Sequence, residues 1–223
     1  MTYLQQYRLF VVAHVRPDLT QGSQKRHKAA KNGRRFGCDD CANQLPIVTP
    51  ILNLTQDCGR EGSEVSVYTI REAKPEEQGE LTRLCVRATK RAGYDEVFID
   101  RAMPALTITV PLITAGCVLV AQDSSREIVG VVAVTTTPLQ GIALLYAIFV
   151  DPAHWKRGIG RVLFRAAVAR AREMKAGALM IYAEPSAESF YKRMGAIRIG
   201  EGPFVYSPET VLPQLLYIIP REV

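Results

Sequence analysis

Residues 142–175 have the pattern of a strand, a turn and a helix, and this unit constrains the fold more than any other part of the chain. The apolar run Ile142–Val150 ends at Pro152, and the basic pair Lys156-Arg157 precedes Gly158-Ile159-Gly160 at the start of a helical pattern. The backbone N–H groups of such a turn and the helix dipole both point at an anion, and glycine lets the backbone come close to it. The pattern therefore predicts a phosphate-binding turn in a domain of strands and helices.

Two better-known phosphate-binding motifs do not fit this turn. It contains no Gly-Lys-Ser/Thr, which excludes a Walker loop. The third glycine and the acidic ribose ligand of the dinucleotide-binding fingerprint are also missing. A pair of glycines suits an ordinary strand-to-helix connection as well, so the turn by itself leaves that alternative open.

A second motif lies downstream of the turn. Residues 178–184 have a strand pattern and run into a short helix closed by glycine, Ser186-Ala187-Glu188-Ser189-Phe190-Tyr191-Lys192-Arg193-Met194-Gly195-Ala196. Together with Trp155-Lys156-Arg157-Gly158-Ile159-Gly160, in this order and at this spacing, it resembles the GNAT superfamily of acyl-CoA-dependent N-acyltransferases. The resemblance covers roughly residues 66–219.

The resemblance implies an N-acetyltransferase that moves an acetyl group from acetyl-CoA to a primary amine by direct transfer in a ternary complex. The acceptor would be a small-molecule or peptide amine, and no metal is implied. In the family, the pantetheine arm lies between two parallel strands that separate, and an N–H near Phe149 or Val150 polarises the thioester carbonyl. The matching donor-binding positions are Phe149, Val150, Lys156, Arg157, Gly158, Ile159, Gly160, Arg161, Ser186 and Phe190.

Tyr191 stands at the position of the family's catalytic tyrosine. A phenol with a pKa near 10 can protonate a departing thiolate with a pKa near 8.5. The alternative is a packing tyrosine whose ring covers the pantetheine arm. The fourth strand has no carboxylate or imidazole to act as a base, so the amine would lose its proton through water to Tyr146 or Glu184, or without a base.

Two motif positions depart from the family pattern. Trp155 stands where the family usually has Gln or Arg, and Ser186 replaces Asn. The first departure predicts the loss of a polar contact to the donor. The missing carboxylate in the fourth strand keeps a second class of function open, a catalytically silent CoA-binding regulatory module.

The order of elements predicted from residue 65 onward is βααβββαβαββ. This order gives an α/β (α+β) domain with a GNAT-like mixed, mainly antiparallel central sheet and helices on both faces. The strands are predicted at 65–71, 116–122, 128–136, 142–150, 178–184, 196–200 and 212–219, and the helices at 75–91, 94–106, 159–175 and 188–194. Tyr94 lies where the family places its acceptor-side helices.

The first 64 residues differ in composition from residues 65–223, which form the predicted acetyltransferase domain. Six Lys or Arg and no acid fall within residues 21–35, and no helical or strand period persists. We interpret residues 1–64 as a basic, disordered extension. Nucleic-acid binding through this tail, an organellar targeting segment and an over-long start assignment remain alternatives. A zinc site at His27, Cys38, Cys41 and Cys58 is disfavoured by its irregular spacing.

Composition limits the broad class of protein. The net charge of +6 suits an anionic ligand such as a CoA pyrophosphate, although it also suits nucleic acid. We expect no membrane span, because no apolar run approaches the roughly 18 residues that one needs. We therefore expect a cytoplasmic protein with reduced thiols, no membrane partner, no dedicated nucleic-acid partner, and a monomeric or homodimeric state.

The helix after the glycine turn has two predicted faces. Ile159 and Leu163 should face the sheet, and the basic stripe beginning at Arg157 and Arg161 lies opposite. The stripe's later members, Arg165, Arg172 and Lys175, are predicted to face solvent. Arg170 falls on the apolar side, where snorkelling is the expected explanation, and Cys85 and Cys117 are predicted core thiols.

Overall fold

The computed structural model describes residues 68–204 and 206–221, and within them seven strands form one sheet. The strands are β1 (Thr69–Glu72), β2 (Val118–Gln122), β3 (Ile128–Thr136), β4 (Ile142–Val150), β5 (Ala178–Tyr182), β6 (Ile197–Phe204) and β7 (Ser207–Ile218). The helices are α1 (Gln78–Arg91), α2 (Glu96–Leu106), α3 (Val110–Thr114), α4 (Ile159–Glu173) and α5 (Glu188–Arg193). Short 3₁₀ turns at Pro75–Glu77, Pro152–His154 and Pro185–Ala187 precede three of these helices.

The sheet has the order β1-β2-β3-β4-β5-β7-β6. Its neighbouring strands are antiparallel with one exception among the described residues, the parallel pair β4 and β5. The register of that pair runs from Ile142 opposite Ala178 to Leu145 opposite Ile181. The crossover between them is made by α4, as parallel strands require. The predicted mixed, mainly antiparallel sheet is confirmed.

Helices cover both faces of the sheet, as predicted. Along β2, Val118 and Val120 belong to one buried cluster and Leu119 and Ala121 to another, as side chains of a strand alternate between faces. The first cluster includes residues of α1, α2 and α3. The second includes residues of α4 and α5. The two helical layers therefore lie on opposite faces of the sheet.

The predicted element order missed one helix and shortened one hairpin. The five-residue helix α3 was assigned to no element, because five residues are too few to show a helical period. Strands β6 and β7 are longer than predicted and contain Pro203, Pro208 and Pro213. Pro213 has no N–H to donate, but it takes part in the sheet through its carbonyl, which accepts from the Ala183 N–H at 2.9 Å.

The starts of β1 and α2 also differ from the predictions. Strand β1 is described from Thr69, and residues 65–67 lie outside the described residues. Helix α2 begins at Glu96 because the Asp95 carboxylate accepts from the Phe98 N–H at 2.8 Å, which caps the helix. Tyr94 therefore precedes the helix instead of opening it. The predictions for residues 1–64, including the zinc alternative, concern residues outside the described ones.

One segment is longer and more apolar than the sequence reading allowed. Glu96–Thr114 spans 19 residues with a mean hydropathy of 1.4, which by length and composition would suffice to cross a membrane. In the structure the segment comprises α2 and α3 with residues 107–109 between them, and Ile99, Leu106 and Ile113 are buried in the core. Core helices meet the same criteria, so this is weak support for a span.

Candidate active site

A cleft of about 1600 Å³ passes through the sheet between β4 and β5. On the α4 face it is lined by the glycine turn, by α4 and by α5. On the α1 face it is lined by α1, α2 and the end of β6. Residues from both faces of the sheet line this one cleft, so two molecules bound in it can meet at the sheet.

The cleft exists because β4 and β5 separate after Leu145 and Ile181. Beyond that pair β4 continues to Val150, whereas β5 ends at Tyr182. The separation coincides with a β-bulge: Ala133 lies opposite Ala147 and Val134 opposite Leu145, so Tyr146 is the additional residue. A bulge bends its strand and increases the local twist, which turns the end of β4 away from β5.

The free edge of β4 presents backbone groups to the cleft. The Asp151 N–H donates to the Val129 carbonyl at 2.9 Å, and Phe149 lies opposite Val131, so the amides of Asp151 and Phe149 face β3. Alternation along the strand then directs the amides of Ile148 and Val150 toward the cleft. Of the two amides considered from the sequence for polarising a thioester, the one at Val150 faces the cleft and the one at Phe149 does not.

The glycine turn forms a cradle of five consecutive amides, residues 156–160. No acceptor among the described residues meets these N–H groups, and the first backbone N–H bonds of α4 are those of Arg161 and Val162 to the Gly158 carbonyl. Gly158 caps the helix at φ +83°, and Lys156 also has positive φ. Such a run of unsatisfied amides at the start of a 15-residue helix has the geometry that can bind an anion.

Trp155 joins this cradle to the end of β4. Its indole N–H donates to the Val150 carbonyl at 2.8 Å, and its ring lines the cleft. Trp155, which departs from the family pattern, therefore has a structural role that the sequence did not predict. The Asp151 carboxylate accepts from the Ala153 N–H at 3.0 Å and pairs with Arg87 of α1, which fixes the other side of the turn.

Gly130 of β3 lets α4 approach the sheet closely. A Cβ at this position would lie 2.8 Å from Leu163 Cδ1, 3.1 Å from the Phe149 carbonyl oxygen and 3.3 Å from Ile159 Cγ2. The first turn of α4, which carries the cradle, thus rests directly on the β3 backbone. Nothing in the sequence distinguished this glycine from others, because its contacts come from three different elements.

Tyr191 lies in an aromatic cluster on the α4 face. It is 5% exposed, and its ring is 6.0 Å from Phe164 and 5.1 Å from Phe190, centroid to centroid. It lines the cleft, and its hydroxyl makes no hydrogen bond with the described residues. Burial, and secondarily the negative charge of Glu184, raises the pKa of Tyr191 well above its ordinary value.

Glu184 lies at the junction of the two halves of the cleft, just after β5. One carboxylate oxygen accepts from the Tyr94 hydroxyl at 3.0 Å, and the other accepts from the backbone N–H and the hydroxyl of Ser186. Burial, then the Glu184 charge, raises the pKa of Tyr94 to about 12. Glu184 is the one carboxylate among the described residues that line the cleft.

Most of the donor-binding positions suggested by the motifs line this cleft. They are Phe149, Val150, Lys156, Gly158, Ile159, Gly160, Arg161, Ser186 and Phe190. Arg157 is exposed and is not on the cleft wall. Arg165 and Arg172 are exposed, as predicted, and they also border the cleft, so its α4 wall is more basic than the motifs alone indicated.

Neither described cysteine is placed for covalent chemistry. Cys85 is fully buried in the core, and burial raises the pKa of its thiol to about 12. Neither Cys85 nor Cys117 lines the cleft. Residues 68–204 and 206–221 also contain no group of three or more His, Cys, Asp or Glu that could hold a metal ion.

Comparisons with known proteins agree with this architecture. Residues 114–195 match the family model of the acetyltransferase (GNAT) domain. No curated protein sequence matches the chain significantly. Similar solved structures include Ard1 from Thermoplasma volcanium, with a TM-score of 0.53 and 18% identity over 69% of this chain and 99% of that one. The PaiA N-acetyltransferase from Thermoplasma acidophilum, in complex with coenzyme A, has a TM-score of 0.55 and 15% identity, over 68% and 98%.

The matched segment contains α4, the cradle and Tyr191, so the family model covers the parts of the cleft that carry chemistry. The structural neighbours, at these identities, support the fold. The domain is an acyltransferase by class. By this match, residues 114–195 carry a GNAT acetyltransferase domain.

Proposed function

We propose that the protein transfers the acetyl group of acetyl-CoA to a primary amine by direct transfer in a ternary complex. The observation that carries the proposal is the cradle of amides 156–160 at one mouth of a cleft that crosses the sheet. An anionic pyrophosphate fits the cradle, and the α4 wall adds the basic side chains of Arg161, Arg165 and Arg172. A thioester arm would then follow the free edge of β4 toward the second mouth.

The free edge of β4 suits the thioester. The Ile148 and Val150 amides face the cleft, and the Val150 carbonyl already accepts from the Trp155 indole, so the strand end is held in place while the Val150 N–H stays available to the cleft. A donor held in this way can stabilise negative charge that develops on the carbonyl oxygen during attack by the amine. This is electrostatic stabilisation by backbone already fixed in place.

Tyr191 is the proposed donor to the leaving sulfur. Its raised pKa keeps the phenol protonated at every physiological pH, so the hydroxyl is always available as a hydrogen-bond donor. Because a weaker acid transfers its proton less readily, complete transfer requires that burial raise the thiolate's own pKa as well. Glu184, near Tyr191 and within the cleft, is the proposed acceptor of the proton that the amine loses, directly or through water.

Direct transfer is preferred over an acyl-enzyme because no thiol among the described residues lines the cleft. In the ternary complex the amine nitrogen attacks the thioester carbon and forms the amide bond. The carbon–sulfur bond breaks, and the sulfur leaves as the thiol after receiving a proton. Of the two protons that the ammonium form loses, one leaves before attack and one on collapse of the intermediate.

The test is release of free CoA thiol by the full chain from acetyl-CoA, with and without added primary amines. We expect amine-dependent thiol release and one acetylated amine per thiol, identified by mass spectrometry. Initial-rate patterns should intersect, as they do when both substrates bind before reaction. Acetyl-CoA binding without turnover against a broad amine panel would support the silent regulatory module instead. Parallel initial-rate lines would indicate an acyl-enzyme.

A further inference from the structure

The acceptor half of the cleft differs in chemistry from the donor half. Its described lining on the α1 face is aromatic or apolar: Tyr94, Phe98, Tyr146 and Phe204, with Ala88, Ala92, Ala102, Ala105, Leu106 and Leu212. Apart from the tyrosines, which include Tyr182 of β5, Thr89 is the one polar residue there, and its hydroxyl already bonds the Cys85 carbonyl. This half contains no Lys or Arg among the described residues. An acceptor with a carboxylate would find no cationic partner in it.

The aromatic rings form a continuous wall. Tyr94 and Phe98 stack with centroids 4.2 Å apart, and Phe98 stacks on Phe204 at 6.1 Å. The wall thus joins three parts of the chain: the loop before α2, α2 itself and the end of β6. Flat or apolar groups bind such surfaces through their area and through stacking.

Glu184 stands at the inner end of this wall. The Tyr94 hydroxyl bonds its carboxylate, so the wall and the charge are physically linked. As the one carboxylate among the described lining residues, it can pair with one ammonium group. A polyamine or an aminoglycoside carries further positive charges that would meet apolar or basic surface, and leaving them desolvated and unpaired is unfavourable.

Resting on the proposed function, we infer that the acceptor is a monoamine whose single ammonium group is attached to an aromatic or bulky apolar body. The ammonium binds Glu184, and the body lies against the wall of Tyr94, Phe98 and Phe204. A free amino acid is disfavoured by its carboxylate, and polycationic amines are disfavoured by their additional charges. Specificity on this account comes from the acceptor half alone and leaves donor binding unchanged.

The experiment compares kcat/KM for thiol release by the full chain with four probes: 2-phenylethylamine, phenylalanine, spermidine and kanamycin. We expect 2-phenylethylamine to exceed each of the other three by at least tenfold. Equal or higher values for phenylalanine, spermidine or kanamycin would overturn the inference while leaving the proposed function in place. Bound acetyl-CoA with no turnover of any amine would overturn both.

Two variants locate the specificity. Phe204→Leu should lower kcat/KM for 2-phenylethylamine by about tenfold and change it little for spermidine, because only the aryl amine uses the ring. Glu184→Gln should raise the KM for 2-phenylethylamine and shift its pH profile. Glu188→Gln is the matched control, because its carboxylate pairs with Lys192 and Arg198 away from the cleft. An unchanged probe ratio in Phe204→Leu would overturn the assigned wall.

Both variants are checked for folding by thermal midpoint and by acetyl-CoA affinity in calorimetry. Phe204 does not belong to the donor half, so donor affinity should remain within about twofold of the parent in Phe204→Leu. Glu184→Gln also changes the acceptor of the Ser186 N–H and hydroxyl, so its donor affinity is measured beside its amine kinetics. If Glu184→Gln loses its fold, because Glu184 also caps the turn at Pro185–Ala187, Tyr94→Phe gives an independent reading. It removes the hydroxyl that orients the carboxylate and should raise the KM for the aryl amine alone.

Discussion

At the scale of single residues, Tyr191 combines a packing role and a chemical role that one substitution can separate. Tyr191→Phe keeps the ring in its aromatic cluster and removes the hydroxyl, so donor binding should survive. If the hydroxyl serves the leaving sulfur, kcat should fall roughly 100-fold while the KM for acetyl-CoA changes little. Steady-state kinetics with saturating amine measure both quantities.

Tyr68→Phe is the matched control for Tyr191→Phe, because Tyr68 is a buried tyrosine that does not line the cleft. Its kinetic constants should stay at the parent values. Retained kcat with weakened acetyl-CoA binding in Tyr191→Phe would make Tyr191 a binding residue and leave proton delivery to water or to the acceptor.

Gly160 is open toward the cleft at the second position of α4. An added Cβ would lie 3.6 Å from the Phe190 ring, an ordinary contact, so the protein itself does not require glycine there. A branched side chain would instead occupy space that a pyrophosphate needs. Gly160→Val should therefore lose about 2 kcal/mol or more of CoA affinity in calorimetry, roughly 30-fold, with little change in thermal midpoint.

The control for Gly160→Val is Gly79→Val, because Gly79 is also the second residue of its helix, α1, and lies outside the cleft lining. Both variants place a β-branched residue in a first helical turn, and only one faces the cleft. Equal CoA affinities for the two would locate the phosphates elsewhere.

At the scale of elements, the contact between α4 and β3 sets the position of the cradle. Gly130→Ala introduces a Cβ 2.8 Å from Leu163 and 3.1 Å from a backbone oxygen, so α4 must move outward or β3 must distort. Overpacking of this kind destabilises by about 1–3 kcal/mol. Denaturant unfolding should show that loss, and calorimetry should show roughly tenfold weaker acetyl-CoA binding because the cradle moves with α4.

Gly200→Ala provides the comparison for Gly130→Ala. Gly200 is also a strand glycine, and its added Cβ would make an ordinary 3.7 Å contact with Gln214. This variant should keep both stability and donor affinity close to those of the parent. If Gly130→Ala keeps the stability and the acetyl-CoA affinity of the parent, α4 does not pack tightly on β3 at this position.

The ion pair between Asp151 and Arg87 links the turn after β4 to α1. Although partial burial would raise it, the Arg87 guanidinium and the Ala153 N–H hold the pKa of the Asp151 carboxyl below its ordinary value of 3.8. A carboxyl with a lowered folded-state pKa adds stability above its unfolded pKa and loses that contribution as the pH falls through the folded value. Stability should therefore decline as pH falls below about 4.

The Asp151→Asn variant tests this pH dependence, because it should show a shallower decline than the parent in thermal midpoints between about pH 5 and pH 3. Asp100→Asn is the control, since Asp100 is exposed and forms no ion pair among the described residues. An acid profile of Asp151→Asn identical to that of the parent would contradict the assigned contribution.

At the scale of the whole molecule, we propose that residues 65–223 form the acetyltransferase domain and residues 1–64 a separate basic extension. Every described element and every residue lining the cleft lies beyond residue 67. A truncated protein that starts at Ser63 should remain folded and keep the acetyl-CoA affinity of the full chain. Insolubility or lost binding would show that the extension belongs to the fold. Salt-dependent nucleic-acid affinity present only in the full chain would give the extension its own function.

The cradle, the donor motifs and Tyr191 were accessible to sequence reasoning because each depends on neighbours within a few residues. Turn geometry, helix capping and the amides of a first helical turn are local properties, so the run from Trp155 to Arg161 carries its own structure. The period of apolar residues likewise indicated most of the strands and helices. The resemblance to a family added the role of Tyr191, which periodicity could not supply.

Tertiary structure decided the features that join distant parts of the chain. The contact of Tyr94 with Glu184 spans 90 residues, and that of Arg170 with Glu72, in place of the expected snorkelling, spans 98. The bulge at Tyr146 and the need for glycine at position 130 follow from how neighbouring strands and α4 meet, which no local pattern encodes. The sequence by itself therefore determined the turn with its run of amides and the class of chemistry. The packing of the sheet against its two helical layers determined the opening between β4 and β5, the position of the Glu184 carboxylate and the aromatic wall. These features depend on contacts between residues far apart in the chain, which no local pattern contains.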